Sequence, residues 1–345
     1  MKVPDEHGLT ERQALILKRV VSEYIATGHP VGSKSLVESG AIDASPSTVR
    51  NELAQLESRG LLGHPHTSAG RVPTDAGYRR YADGLLEQPL PPAPLPVDLT
   101  TVRSEVDVAL RSTTEILSQV TSLLAVVSAP PLEAAEIRRV EVLRLQPRVV
   151  MVVVITATGG VTKRIFPFAA DVDPKLAEWA VAYLNEQLTG VRLGALALRQ
   201  KLHEPGLSER ERGFLDVLEP AFTELVSGGE QSLYIGGAAR LIEEMRYADL
   251  AEINDLMQAL EERVSLLEVL RGALDANRLY LRIGSENEMP HMRSLSLVAA
   301  NYGLPARNLG TVSLIGPTRM DYATAIRSVR GAAALLSEFV EEVYE

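Results

Sequence analysis

The sequence predicts an α+β multidomain chain, and three observations predict it. Residues 10–87 carry helix starts and stops in quick succession, five of the ten residues Gln88–Val97 are proline, and the remainder mixes strand-like apolar runs with helical periodicity. At 345 residues there is material for two or three domains, each with its own core. The expected layout is a winged helix-turn-helix over 1–87, a Pro-rich linker over 88–98, one strand-and-helix domain assembled from 99–171 and 230–345, and a mainly helical insertion over 172–229.

The N-terminal elements follow from capping chemistry. Thr10 and Gln13 stand at capping-box spacing, and Ala14, Leu17, Val21 and Tyr24 recur on one face until Gly28 and Pro30 end the first helix. Ser33–Gly40 reads as a short helix opened by a serine and closed by a glycine. In the third helix, Ser45 is the N-cap, Pro46 takes the first helical position where its missing N–H costs nothing, and Gly60 suits the left-handed residue past the end. Val49, Leu53 and Leu56 share one face; Ser47, Asn51, Ala54 and Ser58 lie opposite, flanked by Arg50 and Gln55. Leu61–Pro73 then reads as two short extended pieces around a small-residue tip, a wing, and Thr74 caps a fourth helix through Tyr81.

Beyond residue 87 the patterns are longer. The proline-rich stretch, extended at ~3.1 Å per residue, spans roughly 30 Å, comparable to the ~34 Å between half-sites on one face of DNA. Val102, Val106, Ala109, Thr113, Leu117, Val120, Leu124 and Val127 recur at near-heptad spacing and predict one long helix, a core or dimer seam. Val140–Leu145, Val149–Ile155 and Val161–Phe168 read as strands, the last two joined at Gly159-Gly160. Helical stripes follow, one through Leu176, Trp179, Tyr183 and Leu188, another through Leu207, Phe214, Leu218, Phe222 and Leu225. A strand at 232–237, a helix through Leu250, Ile253, Met257, Leu260, Val264 and Leu267, and strands at 279–283, 294–299 and 309–315 precede a final helix ending near Tyr344.

Composition narrows the function classes. The chain has no cysteine, which excludes disulfides, thiolate metal sites and cysteine nucleophiles. No signal peptide is expected, and the most apolar stretch, Val149–Ile155, is too short to span a bilayer, so a soluble cytoplasmic protein is the expectation. The net charge of −10 argues against a polyanion binder along its whole length, but residues 1–89 hold 10 Lys and Arg against 11 Asp and Glu, leaving 25 against 34 for the rest. A nearly neutral head on an acidic body suits a few well-placed cations and rejection of non-specific DNA. No phosphate loop, nucleophile elbow, zincin pair or defined acid pair is present, so no enzyme and no cofactor are expected.

The candidate DNA contacts lie on three segments. Ser47, Arg50, Asn51 and Gln55 suit base edges, with Thr48 and Arg50 open to phosphate as well. Ser33 and Lys34 open the preceding helix, where backbone N–H groups suit a phosphate, although simple capping explains the serine equally. In the wing, His64, His66, Thr67, Ser68 and Arg71 are polar, and Arg71 suits a minor groove or a phosphate; the duller account is a turn whose hydroxyls bond their own backbone. His64 and His66 have no cysteine or further histidine nearby, so no metal site is expected. Gly316-Pro317-Thr318-Arg319 reads either as an anion cradle or, preferably, as a turn and helix cap with Arg319 pairing a core carboxylate.

In Pro30–Lys34, Ser45–Leu53, His66–Thr74 and Gly316–Tyr322, taken in that order, the sequence resembles the HrcA family of bacterial heat-inducible transcription repressors. Thr-Val-Arg in a third helix is common; the wing string and the C-terminal string are the specific ones. The resemblance runs essentially end to end. It implies a homodimer with a winged helix, a GAF-like domain and an inserted dimerisation domain. It further implies binding to an inverted-repeat operator, CIRCE, upstream of chaperone operons. The GroE chaperonin, GroEL/GroES, would hold the repressor in its DNA-binding form until heat-damaged clients draw it away. The competing classes are a repressor that senses a small molecule through the GAF-like domain and a winged helix used only for protein contact.

Overall fold

The computed structural model describes residues 8–40, 42–65, 70–97, 106–130, 136–157, 160–193, 196–222, 233–244, 279–305 and 307–344, with Leu99, Asn254, Met257 and Gln258 between them. The fold is α+β. Its N-terminal head holds α1 (Glu11–Thr27), α2 (Ser33–Glu38), α3 (Pro46–Ser58), a two-stranded ribbon of β1 (Leu62–Gly63) and β2 (Val72–Pro73), and α4 (Asp75–Leu86). The Thr10 hydroxyl accepts from the Gln13 N–H while the Gln13 side chain accepts from the Thr10 N–H, so two of the orphan donors at the start of α1 are satisfied reciprocally. Gly28, at φ 68°, ends the helix. Thr74 caps α4 by accepting from the Gly77 N–H, and a Cβ on Gly77 would stand 2.1 Å from the Leu61 carbonyl, so glycine lets α4 lie directly on the chain leaving α3. Ile16, Val20, Val49, Leu53, Leu56 and Tyr78 fill the centre of the head.

A body follows, in which α5 (Val106–Thr121) leads into β3 (Leu124–Ser128). The chain then leaves this sheet for β4 (Ile137–Gln146), β5 (Val149–Thr156), β6 (Val161–Pro167), α6 (Pro174–Leu188), α7 (Leu196–Leu202) and α8 (Glu209–Leu218). It returns at β7 (Leu233–Gly236), followed by a short helix Ala238–Glu244, β8 (Tyr280–Ile283), β9 (Leu295–Leu304), β10 (Arg307–Pro317) and the C-terminal helix Tyr322–Tyr344. β7, β3, β10, β9 and β8 form, in that order, an antiparallel sheet. The C-terminal helix and α5 pack on it. One apolar core runs through this body and the head; a second belongs to 137–222 alone.

Three expectations change. The long helix predicted through Val127 stops at Thr121: Ser122 takes a left-handed φ of 56°, and Leu124–Ser128 is a central strand buried along its whole length. A short apolar run satisfies helix and strand periodicity alike, and its two neighbouring strands decide the matter. Val102 lies outside the described residues. The strands within 137–167, expected to belong to one strand-and-helix domain with 230–345, form their own sheet in the order β4-β5-β6. The inner faces of those strands, Val140, Val150, Val152 and Val154, pack with Ala180, Leu184, Phe214 and Leu218 of the helices, so strands and helices share one core. On α6 the buried line is Ala177, Ala180, Leu184 and Leu188, with Leu176, Trp179 and Tyr183 on its flank. Finally, the proline-rich stretch is no free spacer. The Ala93 N–H donates to the Arg327 carbonyl at 2.9 Å, Arg327 Nε donates to the Pro91 carbonyl at 3.2 Å, and Leu90, Leu95 and Val97 pack on the core.

The helix expected through Leu250–Leu267 and the turn residue Gly159 lie outside the described residues, apart from Asn254, Met257 and Gln258. Among the described residues no helix is long and apolar enough to cross a membrane.

Candidate nucleic-acid interface

Helix α3 is fixed at its start by a cluster of hydroxyls. Ser45 accepts from the Thr48 N–H at 3.2 Å, and its hydroxyl lies 2.8 Å from that of Ser47 and 2.9 Å from that of Thr48. Pro46 occupies the first turn. Val49, Leu53 and Leu56 are buried in the head, leaving Ser47, Arg50, Asn51, Ala54, Gln55 and Ser58 exposed. The outward surface is therefore small and polar, a shape and chemistry that fit the major groove.

A polar network behind this surface escaped the sequence analysis. Glu52 is buried on the inward side of α3, where Arg12 Nε donates to its Oε1 at 2.8 Å and Gln13 Nε2 donates to its Oε2 at 3.0 Å. Gln13 Nε2 also donates to Gln55 Oε1 at 2.8 Å. A buried carboxylate is tolerated only when such donors meet it, and here they bind α3 to the first turns of α1. The signal was present: a glutamate between Val49 and Leu53 on an inward face demands a cationic partner.

The ribbon is pinned to the other end of α3. Arg71 Nη2 lies 2.7 Å from Glu57 Oε2, His64 Nδ1 contacts Glu57 Oε1, and Arg71 exchanges two 2.8 Å backbone hydrogen bonds with Val31. Burial works against the Glu57 carboxylate, but the His64 hydrogen bond and the Arg71 charge outweigh it and hold its pKa below the usual carboxylate range. Arg71, expected to reach for DNA, thus has its charge engaged within the head. Ser33 was expected to open and cap α2; Gly32 is the N-cap instead, and Ser33 is only 9 % exposed. Lys34 beside it is exposed, and Lys34 and Arg50 have no carboxylate partner among the described residues. His66, Thr67 and Ser68 lie outside the described residues. Among the described residues no group of acidic and histidine side chains is arranged to hold a metal.

The C-terminal string Gly316–Tyr322 sits where head meets body. Asp321 caps the C-terminal helix, accepting from the Thr324 N–H at 3.1 Å, and Tyr322 lies against Tyr78 of α4 with ring centroids 5.9 Å apart. A Cβ on Gly28 would stand 3.3 Å from Arg319 Nη1, so the arginine reaches the end of α1.

With this geometry in view, the HrcA protein C-terminal domain model matches residues 107–326. The chain belongs to the HrcA family. A heat-inducible transcription repressor HrcA from Nocardia farcinica is 36 % identical over 344 residues, covering 98 % of this chain and 99 % of the relative. HrcA proteins carrying the same name from Thermobifida fusca and Halalkalibacterium halodurans are 34 % and 32 % identical, over 97 % and 98 % of this chain and 98 % and 99 % of theirs. The fold also matches the crystal structure of a hypothetical protein solved at 2.2 Å resolution, with a TM-score of 0.65, 23 % identity, and 97 % of this chain and 99 % of that one covered. Membership of the HrcA family thus spans the head as well as the body.

Proposed function

We propose that the chain is a homodimeric repressor of chaperone genes, acting in the cytoplasm, that reads the inverted-repeat CIRCE operator through two winged helices. The observation that carries this reading is the exposed face of α3, where Ser47, Arg50 and Asn51 stand outward, with Lys34 exposed on α2 and neither cation meeting a carboxylate among the described residues. Asn and Arg suit adenine and guanine edges, and Lys34 suits a phosphate. The order α1, α2, α3, ribbon, α4 supports the winged-helix label.

The homodimer draws its support from the sheet of 137–167. β5 alternates, with Val150, Val152 and Val154 inward and Met151, Val153 and Ile155 outward. The register aligns Leu143, Met151 and Ile165 in one outward row and Ile155 and Val161 in another. Leu143 is 42 % exposed, Ile165 60 % and Val161 62 %. Aliphatic rows of this kind, on either side of a row in which Val153 lies between Glu141 and Lys163, suit self-association about a two-fold axis.

Family membership supports the remaining element, that the GroE chaperonin sets the fraction of repressor in its DNA-binding form, a population shift needing no chemical modification. A second reading, a repressor sensing a small molecule through a GAF-like body, draws on a cavity of about 260 Å³ between Ile25 of α1, the Thr121–Leu123 turn, and Arg319, Asp321 and Thr324. Nuclease footprinting of the purified chain on inverted-repeat and scrambled duplexes, with chaperonin or candidate metabolites titrated in, tests the whole. Protection confined to the inverted repeat and growing with chaperonin is the expected result; no protection by folded protein overturns the reading.

A further inference from the structure

The head is docked on the body at several points that leave α3 outside the joint. Arg79 of α4 donates from Nε to Glu286 Oε1 at 2.6 Å, from Nη2 to Glu286 Oε2, and from Nη2 to the Leu281 carbonyl at 2.8 Å. Glu286 Oε2 also accepts from the Ile283 N–H at 2.9 Å, which fixes the carboxylate on the turn after β8. One turn back along α4, Asp75 Oδ2 accepts from the Ser285 N–H at 2.8 Å. Gly284, at φ 53°, makes this approach sterically feasible, since a Cβ there would fall 2.4 Å from the Asp75 carboxyl. Tyr78 and Tyr322 close the middle of the joint, and Ser296 donates to the Tyr322 hydroxyl, which donates in turn to the Thr318 carbonyl.

The connecting segment is strapped down as well. A Cβ on Gly331 of the C-terminal helix would come 2.0 Å from the Ala93 carbonyl, and Arg330 Nη1 donates to the Leu90 carbonyl at 3.3 Å. A free proline-rich tether of roughly 30 Å reach would let two heads accept a range of separations, at an effective concentration that varies slowly with distance. A docked head presents its reading helix at one distance and one angle from the body.

We propose that Arg79, Glu286 and Asp75 are positioning residues that set which half-site spacing the dimer accepts, by holding each reading helix rigidly relative to the body. This rests on the operator reading given above, and its test separates the two. The full-length protein is titrated onto duplexes carrying the same two inverted half-sites with spacers lengthened and shortened in single steps up to half a helical turn, about 5 base pairs, and onto an isolated half-site. The wild type is expected to favour one spacing by at least about 100-fold over the half-turn displacement, the gain of engaging both heads at once. Glu286→Gln and Asp75→Ala are expected to cut that preference to below about 10-fold while binding the isolated half-site as the wild type does. Half-site binding certifies that the variant heads are folded. Variants that bind the half-site normally and keep the wild-type spacing profile overturn the inference, as does a wild type indifferent to spacing; in both cases the operator reading stands. A folded wild type that binds none of the duplexes overturns both.

Discussion

Helix α3, proposed to read DNA, and the middle strand β5 each turn one face into a core and one outward, and the outward faces are chemically opposite. α3 exposes Ser47, Arg50, Asn51 and Gln55; β5 exposes Met151, Val153 and Ile155 in part, with Leu143 and Ile165 beside Met151, Arg139 and Val161 beside Ile155, and Glu141 and Lys163 beside Val153. Inside, the contrast reverses: β5 turns Val150, Val152 and Val154 and the uncharged Thr156 inward, whereas α3 rests on Val49, Leu53 and Leu56 together with the buried Glu52 network. A directional polar surface has to be held in place to within a fraction of an ångström to select among hydrogen-bond partners, and the charged network supplies that constraint. An aliphatic face acts through area removed from water, which is non-directional, and needs only a correctly patterned sheet.

The largest effect that would break this contrast comes from Ile165→Asp. A carboxylate buried without a partner at a dimer seam costs ~3–5 kcal/mol. The proposed dimer is therefore expected to dissociate at least about 100-fold more readily, read by sedimentation, with circular dichroism unchanged because the site is exposed in the single chain. An unchanged dimer would remove this sheet face from the interface. Next, Leu53→Ala is expected to destabilise the head by ~2–5 kcal/mol in thermal unfolding, whereas Asn51→Ala on the opposite face should stay within about 0.5 kcal/mol. Equal losses would show that α3 has no free face.

Asn51→Ala and Arg50→Ala are each expected to weaken operator binding by ~1–3 kcal/mol and relax base preference. Lys34→Ala should weaken operator and random duplex alike and lower the salt slope by about 1. A uniform loss for all three variants would reduce the face to phosphate contact. The smallest effect concerns Glu57, whose pKa is held below the usual carboxylate range in the fold. The unfolded chain binds this proton more readily, so stability from the Arg71 and His64 contacts is complete above the ordinary carboxylate range and is lost as pH falls through the lowered value. Between about pH 6 and about pH 3 the wild type should lose more stability than Glu57→Gln; parallel acid curves would show that the ribbon is not pinned through Glu57.

Much of the head could be read directly, because its boundaries are written in local chemistry: Thr10 with Gln13, Ser45 with Pro46, Gly28, Gly60 and Thr74 each act within one helical turn. The polar outward face of α3 was legible for the same reason, since helical periodicity places Ser47 opposite Val49 and Leu53. The candidate contacts that depend on neighbours were not. Arg71 looks available in sequence and is engaged by Glu57, fourteen positions away; Ser33 looks like a cap and is buried behind Gly32.

The family membership and the polarity of each helix face were determined by the order of residues along the chain. Tertiary structure decided which sheet the strands of 137–167 join, where α5 ends, and that the proline-rich segment lies strapped to the C-terminal helix. It also decided that Arg79 meets Glu286 across 207 positions of sequence. Capping, periodicity and turn chemistry act over a few residues and leave a local pattern, whereas strand partners and long-range ion pairs are selected by competition among surfaces that come together only when the whole chain is compact.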